Sequence, residues 1–135
     1  MIGIIGDGSS MMTIQGLWTA ANDNIPCVFV ICNNGMYRVL KVNMDIYKKD
    51  ILKEEEPGSN YLYMDFPTPF DVAAIANSMG VHGERITEPE QIKPALDRAL
   101  ASGKPALLDM VIDGSLWGSD LSYPLGAEGA SGSSV

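Results

Sequence analysis

Basic residues are scarce in this sequence: nine Lys and Arg stand against 17 Asp and Glu, a formal net charge of −8 over 135 residues. A surface of that sign repels a phosphate backbone and offers no polybasic patch to an anionic membrane, which argues against nucleic-acid binding and membrane recruitment. Long apolar runs are missing too; none approaches the roughly 18 residues of a membrane span. No signal peptide precedes the first strand, because Met1 is followed at once by Ile2-Gly3-Ile4-Ile5. Cysteine occurs twice, as Cys27 and Cys32, in one apparent strand. Their odd separation puts them on opposite faces, so they neither pair nor share a metal, and they read as small core residues of a cytoplasmic protein. The only histidine, His82, follows Gly80-Val81 at a strand start and reads as structural. The length allows one domain with a modest core.

What is present has a clear order. Ile2–Ile5 reads as a buried strand ending at the turn Gly6-Asp7-Gly8. Residues 11–22 read as a helix burying Met12, Leu17, Trp18 and Ala21, weakened by Gly16. Cys27–Cys32 is a continuous apolar run, as in a central parallel strand covered on both faces, and Asn33-Asn34-Gly35 stops it. Residues 43–69 are poorly periodic, an unusually long loop for a compact domain. They read as an active-site cover or as hiding a short helix near Tyr37–Asn43, with Tyr61, Tyr63 and Phe66 marking a part that packs. The run Glu54-Glu55-Glu56 reads as a solvated face.

Asp71 is a helix cap, followed by Val72, Ile75, Ala76 and Met79 at helical spacing, with Gly80 at the C-terminal position. Residues 81–86 form a weak strand. Thr87-Glu88-Pro89-Glu90 has capping-box spacing and opens a helix to about Ser102, with Ile92, Leu96, Ala99 and Leu100 inward and a kink at Pro94. Ala106–Ile112 is a last strand. This order predicts an α/β fold: a doubly wound parallel sheet with helices on both faces. The ordered domain is expected over residues 1–117, including Trp117 as a packing residue, and a flexible Gly/Ser-rich tail over 118–135.

The chemistry concentrates in two turns. Asp7 and Asn34 lie 27 positions apart, about what a strand, a helix and a return strand consume, so both return to the same end of a parallel sheet. Alone, Gly-Asp-Gly is most often a plain turn and Asn-Asn is uninformative. Together they place a carboxylate and an amide oxygen beside a glycine turn. Such hard ligands suit a divalent ion such as Mg²⁺ holding a diphosphate.

Residues 3–40 resemble the diphosphate-binding motif of thiamine-diphosphate-dependent enzymes: Gly6-Asp7-Gly8-Ser9, then Leu17-Trp18-Thr19-Ala20-Ala21, Asn24-Ile25-Pro26, and Phe29-Val30-Ile31 with Asn33-Asn34-Gly35. The stretch is especially similar to benzoylformate decarboxylase and the acetolactate synthase-like group, and the similarity thins out up to about residue 112. The resemblance implies Mg²⁺ bound by Asp7, the Asn34 side-chain oxygen and the Met36 carbonyl. Gly6 belongs to the same cofactor turn, with Gly8 and Ser9 donating to the diphosphate at a helix start. Tyr37 matches a tyrosine near the phosphates, or is a half-buried loop aromatic. Arg38, where a small residue is usual, pairs with phosphate or faces solvent.

In such enzymes the cofactor carries the chemistry, attacking a 2-oxo acid and taking up the electrons released with CO₂. The glutamate that activates it comes from a separate pyrimidine-binding domain, usually of a partner subunit, so no catalytic residue is assigned in this chain. The expectation is the C-terminal piece of a larger decarboxylase or carboligase, inactive alone and working as a homo-oligomer. A small subunit of a split enzyme, and a non-catalytic assembly or regulatory module that keeps the motif, stay open beside it.

Overall fold

The computed structural model describes residues 1–54 and 61–115. The expected tail, Trp117 and Glu55-Glu56 lie outside them. Four strands, β1 (Ile2–Gly6), β2 (Val28–Asn33), β3 (His82–Ile86) and β4 (Ala106–Val111), form one parallel sheet in the order β1-β2-β4-β3. The helices are α1 (Asp7–Ser10), α2 (Gly16–Asn22), α3 (Arg38–Ile46), α4 (Val72–Ser78) and α5 (Pro89–Ala101), with a π-helical stretch, Tyr47–Ile51, continuing α3.

Helices cover both faces, as the sequence predicts. Leu17 of α2 and Val72 and Ala76 of α4 pack with Ile31, Val81 and Leu107 on one face. Ala95 and Ala99 of α5 pack with Val28, Val30, Ile86, Ala106 and Leu108 on the other. Helices α2 and α4 serve the connections that advance across the sheet, and α5 serves the one that turns back from β3 to β4. A single crossover hand requires that change of face.

Asp71 caps α4 through its side chain, accepting from the Ala74 N–H at 2.8 Å, and Gly80 turns the chain at φ +84. Both cysteines are free, and burial pushes the Cys27 thiol up. His82 is exposed on β3, 3.9 Å from Glu84.

Several expectations fail. The single helix expected over 11–22 is instead a turn over 11–15, preceded by the one-turn α1, and then α2, which starts at Gly16 rather than being weakened by it. In that phase Leu17 and Ala20 face the sheet, whereas Met12 and Trp18 are exposed, Trp18 by 60%. Strand β1 is not buried on both faces: it pairs only with β2 among the described residues, and Ile2 and Ile4 stand exposed, Ile4 by 74%. The capping box sits one residue later, with the Gln91 side-chain oxygen accepting from the N–H groups of Thr87 and Glu88. Along α5, Ala99 and Leu96 pack inward as expected, but Ile92 and Leu100 are exposed and Ala95 is buried in their place; Pro94 lies inside the helix.

The first third of the segment read as a loop, residues 43–51, is helical. Helix α3 buries Lys41, whose ammonium pairs with Asp65. The Tyr61 hydroxyl donates to Asp45, a bond that with partial burial and nearby acids pushes the phenol up to about 12. Lys48 lies over the Tyr61 ring at 4.8 Å. Residues 61–66 are thereby fastened along α3. Tyr61 is buried and Phe66 half-buried, but Tyr63 is exposed.

Candidate functional site

The site sits at the carboxyl tips of β1 and β2. Gly6 is paired with Cys32 across the parallel ladder, so the chain leaves both strands at the same level, and Asp7 and Asn34 emerge side by side. All seven residues singled out in the sequence (Gly6, Asp7, Gly8, Ser9, Asn34, Met36 and Tyr37) line one cavity of about 490 Å³. Arg38 also lines it, together with the apolar side chains of Met12, Val39, Leu40 and Val42.

Asp7 is 3% exposed. One carboxylate oxygen accepts from the Gly8 N–H at 2.9 Å and the other from the Gly35 N–H at 2.8 Å. The carboxylate therefore ties the first turn to the second. The Asn34 side-chain oxygen accepts from the Met36 N–H at 3.2 Å, which fixes the amide with its oxygen inward. Each of these oxygens has a further lone pair to offer.

Met36 lies in an isolated antiparallel bridge with Asp65. Its two hydrogen bonds run from the Tyr37 N–H to the Met64 carbonyl and from the Phe66 N–H to the Gly35 carbonyl, both at 2.8 Å. The Met36 carbonyl is thus not spent on it. A carboxylate, an amide oxygen and a carbonyl are hard donors, too few to complete an octahedron. Among the described residues no three His, Cys, Asp or Glu side chains cluster as a metal site. The donor set fits an ion that takes its remaining ligands from phosphate and water.

The Gly8 N–H is turned onto Asp7, and α1 is a single turn, so little helix dipole stands behind it. What Gly8 supplies is room: a Cβ there would lie 2.3 Å from Tyr37 Cε1. The Tyr37 ring is held edge-on to Phe66 at 4.8 Å, and Phe66 in turn meets Phe70 at 4.9 Å. Gly8→Ala should force the ring off this ladder and lower stability by about 1–3 kcal/mol. A double-mutant cycle with Tyr37→Ala, read by urea denaturation, should recover most of the loss; additive effects would mean the ring does not press on Gly8.

Three contributors were missed in the sequence. Asn33 reads there only as half of a stop signal, but it is buried and its amide nitrogen donates to Asp109 at 2.9 Å and to the Phe70 carbonyl at 3.1 Å. Asp109 was visible as a lone acid inside an apolar strand. Gly114 presses on the second turn, where a Cβ would lie 2.6 Å from the Asn34 carbonyl oxygen. Nearby, the Ser115 hydroxyl and N–H hold the Asp113 carboxyl below its usual range, with Arg38 adding to the effect.

Comparison with known proteins agrees with this geometry. The family described as thiamine pyrophosphate enzyme, C-terminal TPP binding domain, matches residues 1–110. The chain belongs to this family. Among curated members of thiamine pyrophosphate enzymes, benzoylformate decarboxylase of Pseudomonas aeruginosa is 34% identical over 110 residues, covering 82% of this chain and 19% of that protein. Acetolactate synthase isozyme 2 large subunit of Escherichia coli is 32% identical over 110 residues, covering 82% of this chain and 18% of that protein. The chain thus spans about a fifth of the length of these relatives. Among solved structures, the thiamine diphosphate-dependent 4-hydroxybenzoylformate decarboxylase of Rhodococcus jostii RHA1 superposes with a TM-score of 0.65 at 35% identity, covering 84% of this chain and 20% of that one. Benzoylformate decarboxylase from Polynucleobacter necessarius shares the fold, with a TM-score of 0.69 at 22% identity, over 85% of this chain and 20% of that one. As a TPP-binding domain, the chain has its cavity at the strand tips, where open α/β sheets take ligands. No helix among the described residues is long and apolar enough to cross a membrane.

Proposed function

We propose that this chain holds the diphosphate end of thiamine diphosphate through Mg²⁺, as the C-terminal part of a 2-oxo-acid decarboxylase or carboligase of the benzoylformate decarboxylase or acetolactate synthase type. The observation that carries the reading is the convergence of the Asp7 and Asn34 turns on one cavity. Asp7, the Asn34 side-chain oxygen and the Met36 carbonyl would hold the ion. Gly6 and Gly8 keep the backbone of the first turn bare, and Ser9 and Tyr37 offer hydroxyls to phosphate. Arg38 brings a compensating positive charge. When bound, the cofactor supplies the electron sink for decarboxylation.

The deciding experiment is calorimetric titration of thiamine diphosphate into the chain with and without Mg²⁺. Magnesium-dependent binding is expected. No binding, even with a pyrimidine-binding partner domain added, would favour a non-catalytic module.

Among the described residues Asp7 is the only acid lining the cavity, and no histidine lines it. The purified chain is therefore expected not to turn over benzoylformate or pyruvate, and sustained CO₂ release from either would overturn that expectation. Turnover restored by an added partner domain would identify a split enzyme. The exposed Ile2 and Ile4 on one face of β1, together with that strand's unpaired edge among the described residues, also predict self-association. Light scattering should give a mass above 14.5 kDa, the value for one chain; a monodisperse monomer at high concentration would contradict it.

A further inference from the structure

Behind the second turn lies a buried polar cluster that neither the cofactor nor the cavity lining uses. Asp109 stands in the middle of β4 and is fully buried. It is flanked in the sheet by Ile31 of β2 and Arg85 of β3. One oxygen accepts from the Asn33 amide at 2.9 Å. The other has no hydrogen-bond partner among the described residues and lies 3.5 Å from the Arg85 guanidinium. A carboxylate is costly in such a place unless something holds it there. Burial pushes Asp109 up, with Asp71 adding to that, while the Asn33 bond, Arg85 and the Val72 N–H oppose it.

What the carboxylate grips is the last residue of β2. The same Asn33 amide nitrogen also donates to the Phe70 carbonyl, and Phe70 closes the aromatic ladder that runs through Phe66 to Tyr37. The Asn33 carbonyl accepts from the Ile112 N–H at 2.9 Å. Asn33 is therefore clamped to β4 by backbone and side chain together, immediately before Asn34. The geometry points to Asp109 as a positioning residue: through Asn33 it fixes the direction in which Asn34 and Gly35 leave β2, and so the aim of the Asn34 oxygen and of the Gly35 N–H that braces Asp7. Its significance for metal binding rests on the reading of Asn34 as a ligand. The geometric part does not.

The test compares Asp109→Leu, which removes the acceptor, with Asp109→Asn, which keeps an oxygen for the Asn33 amide. Leu108→Ala serves as a control destabilised in the same strand but outside the cluster. Amide hydrogen exchange is measured without ligand at Gly35 and Met36, whose N–H groups bond to Asp7 and Asn34, and at Ile31 and Leu107. In Asp109→Leu, exchange at Gly35 and Met36 should rise about tenfold, as for one lost hydrogen bond, while Ile31 and Leu107 keep their protection. Asp109→Asn should stay near the parent, and Leu108→Ala should shift all four positions together. Unchanged exchange at Gly35 and Met36 in Asp109→Leu, or a uniform rise at all four, would overturn the inference. Should Asp109→Leu not fold, Asn33→Ala removes the other partner and carries the same expectations.

Magnesium-dependent binding of thiamine diphosphate is titrated on the same proteins. Asp109→Leu should lose affinity by about 10–100-fold, as when a group behind a metal ligand is removed, with Asp109→Asn close to the parent. Failure of the parent to bind would count against the cofactor reading alone, since the exchange pattern decides the positioning role without ligand.

Discussion

Asp7→Asn is expected to abolish magnesium-dependent binding of thiamine diphosphate. Among the described residues Asp7 is the one negative charge lining the cavity, and it is buried, so no described acid beside it replaces it. Magnesium is held by one or two carboxylates plus substrate phosphates, and here there is one. The substitution also turns an NH₂ toward one of two backbone donors, Gly8 or Gly35, that the carboxylate now satisfies. Removing a group behind a metal ligand costs about 10–100-fold in affinity, so removing the charged ligand itself should exceed 100-fold. The check is calorimetric titration paired with urea denaturation, which separates lost binding from lost fold. Affinity within threefold of the parent would mean that the ion is not held by Asp7.

Gly83→Ala is expected to be the most damaging single-methyl change in the fold. A Cβ at Gly83 would lie 2.2 Å from the Ala73 carbonyl oxygen, 2.9 Å from its carbon and 3.0 Å from its Cα. These are backbone atoms of α4, and no rotamer change moves them. Val72 and Ala76, on either side, are fully buried. The Asn77 side chain also grips Gly83, accepting from its N–H at 2.9 Å and donating to its carbonyl at 3.0 Å. Neither strand nor helix can withdraw without losing core contact or this clamp. The cost should reach or pass the upper end of the roughly 1–3 kcal/mol usual for overpacking, a large share of the roughly 5–15 kcal/mol of a typical domain. The urea midpoint reads it out, and an unshifted midpoint would show that α4 is not seated on β3 as described.

The sheet, its parallel order and the Asp7/Asn34 pair were legible because each rests on local signals: apolar runs long enough for a covered strand, turn residues at their ends, and a spacing that matches one crossover. Asp71 and Gly80 were legible for the same reason. Where the reading went wrong, the missing information lay far along the chain. Lys41 looks like a solvent residue because the acid that partners its buried charge, Asp65, lies 24 positions away. Trp18 looks like core because large aromatics usually are; α2 begins five residues later than expected, and its phase turns the indole outward. Asp109 was conspicuous in an apolar strand, but nothing local names Asn33, 76 positions earlier, as its partner.

That last separation has a kinetic side. The centre of the sheet is the β2–β4 pair, which closes one of the longest loops in the chain. Loop closure of this kind is slow, since its entropy is lost before the contacts form. The β1–α2–β2 crossover unit and the turn after it carry every proposed ligand, yet the clamp on Asn33 waits for the last strand. During synthesis the Asp7 and Asn34 turns leave the ribosome before β4 does and stay unbraced until then. Within this domain the site is thus made before the strand that gives it its shape.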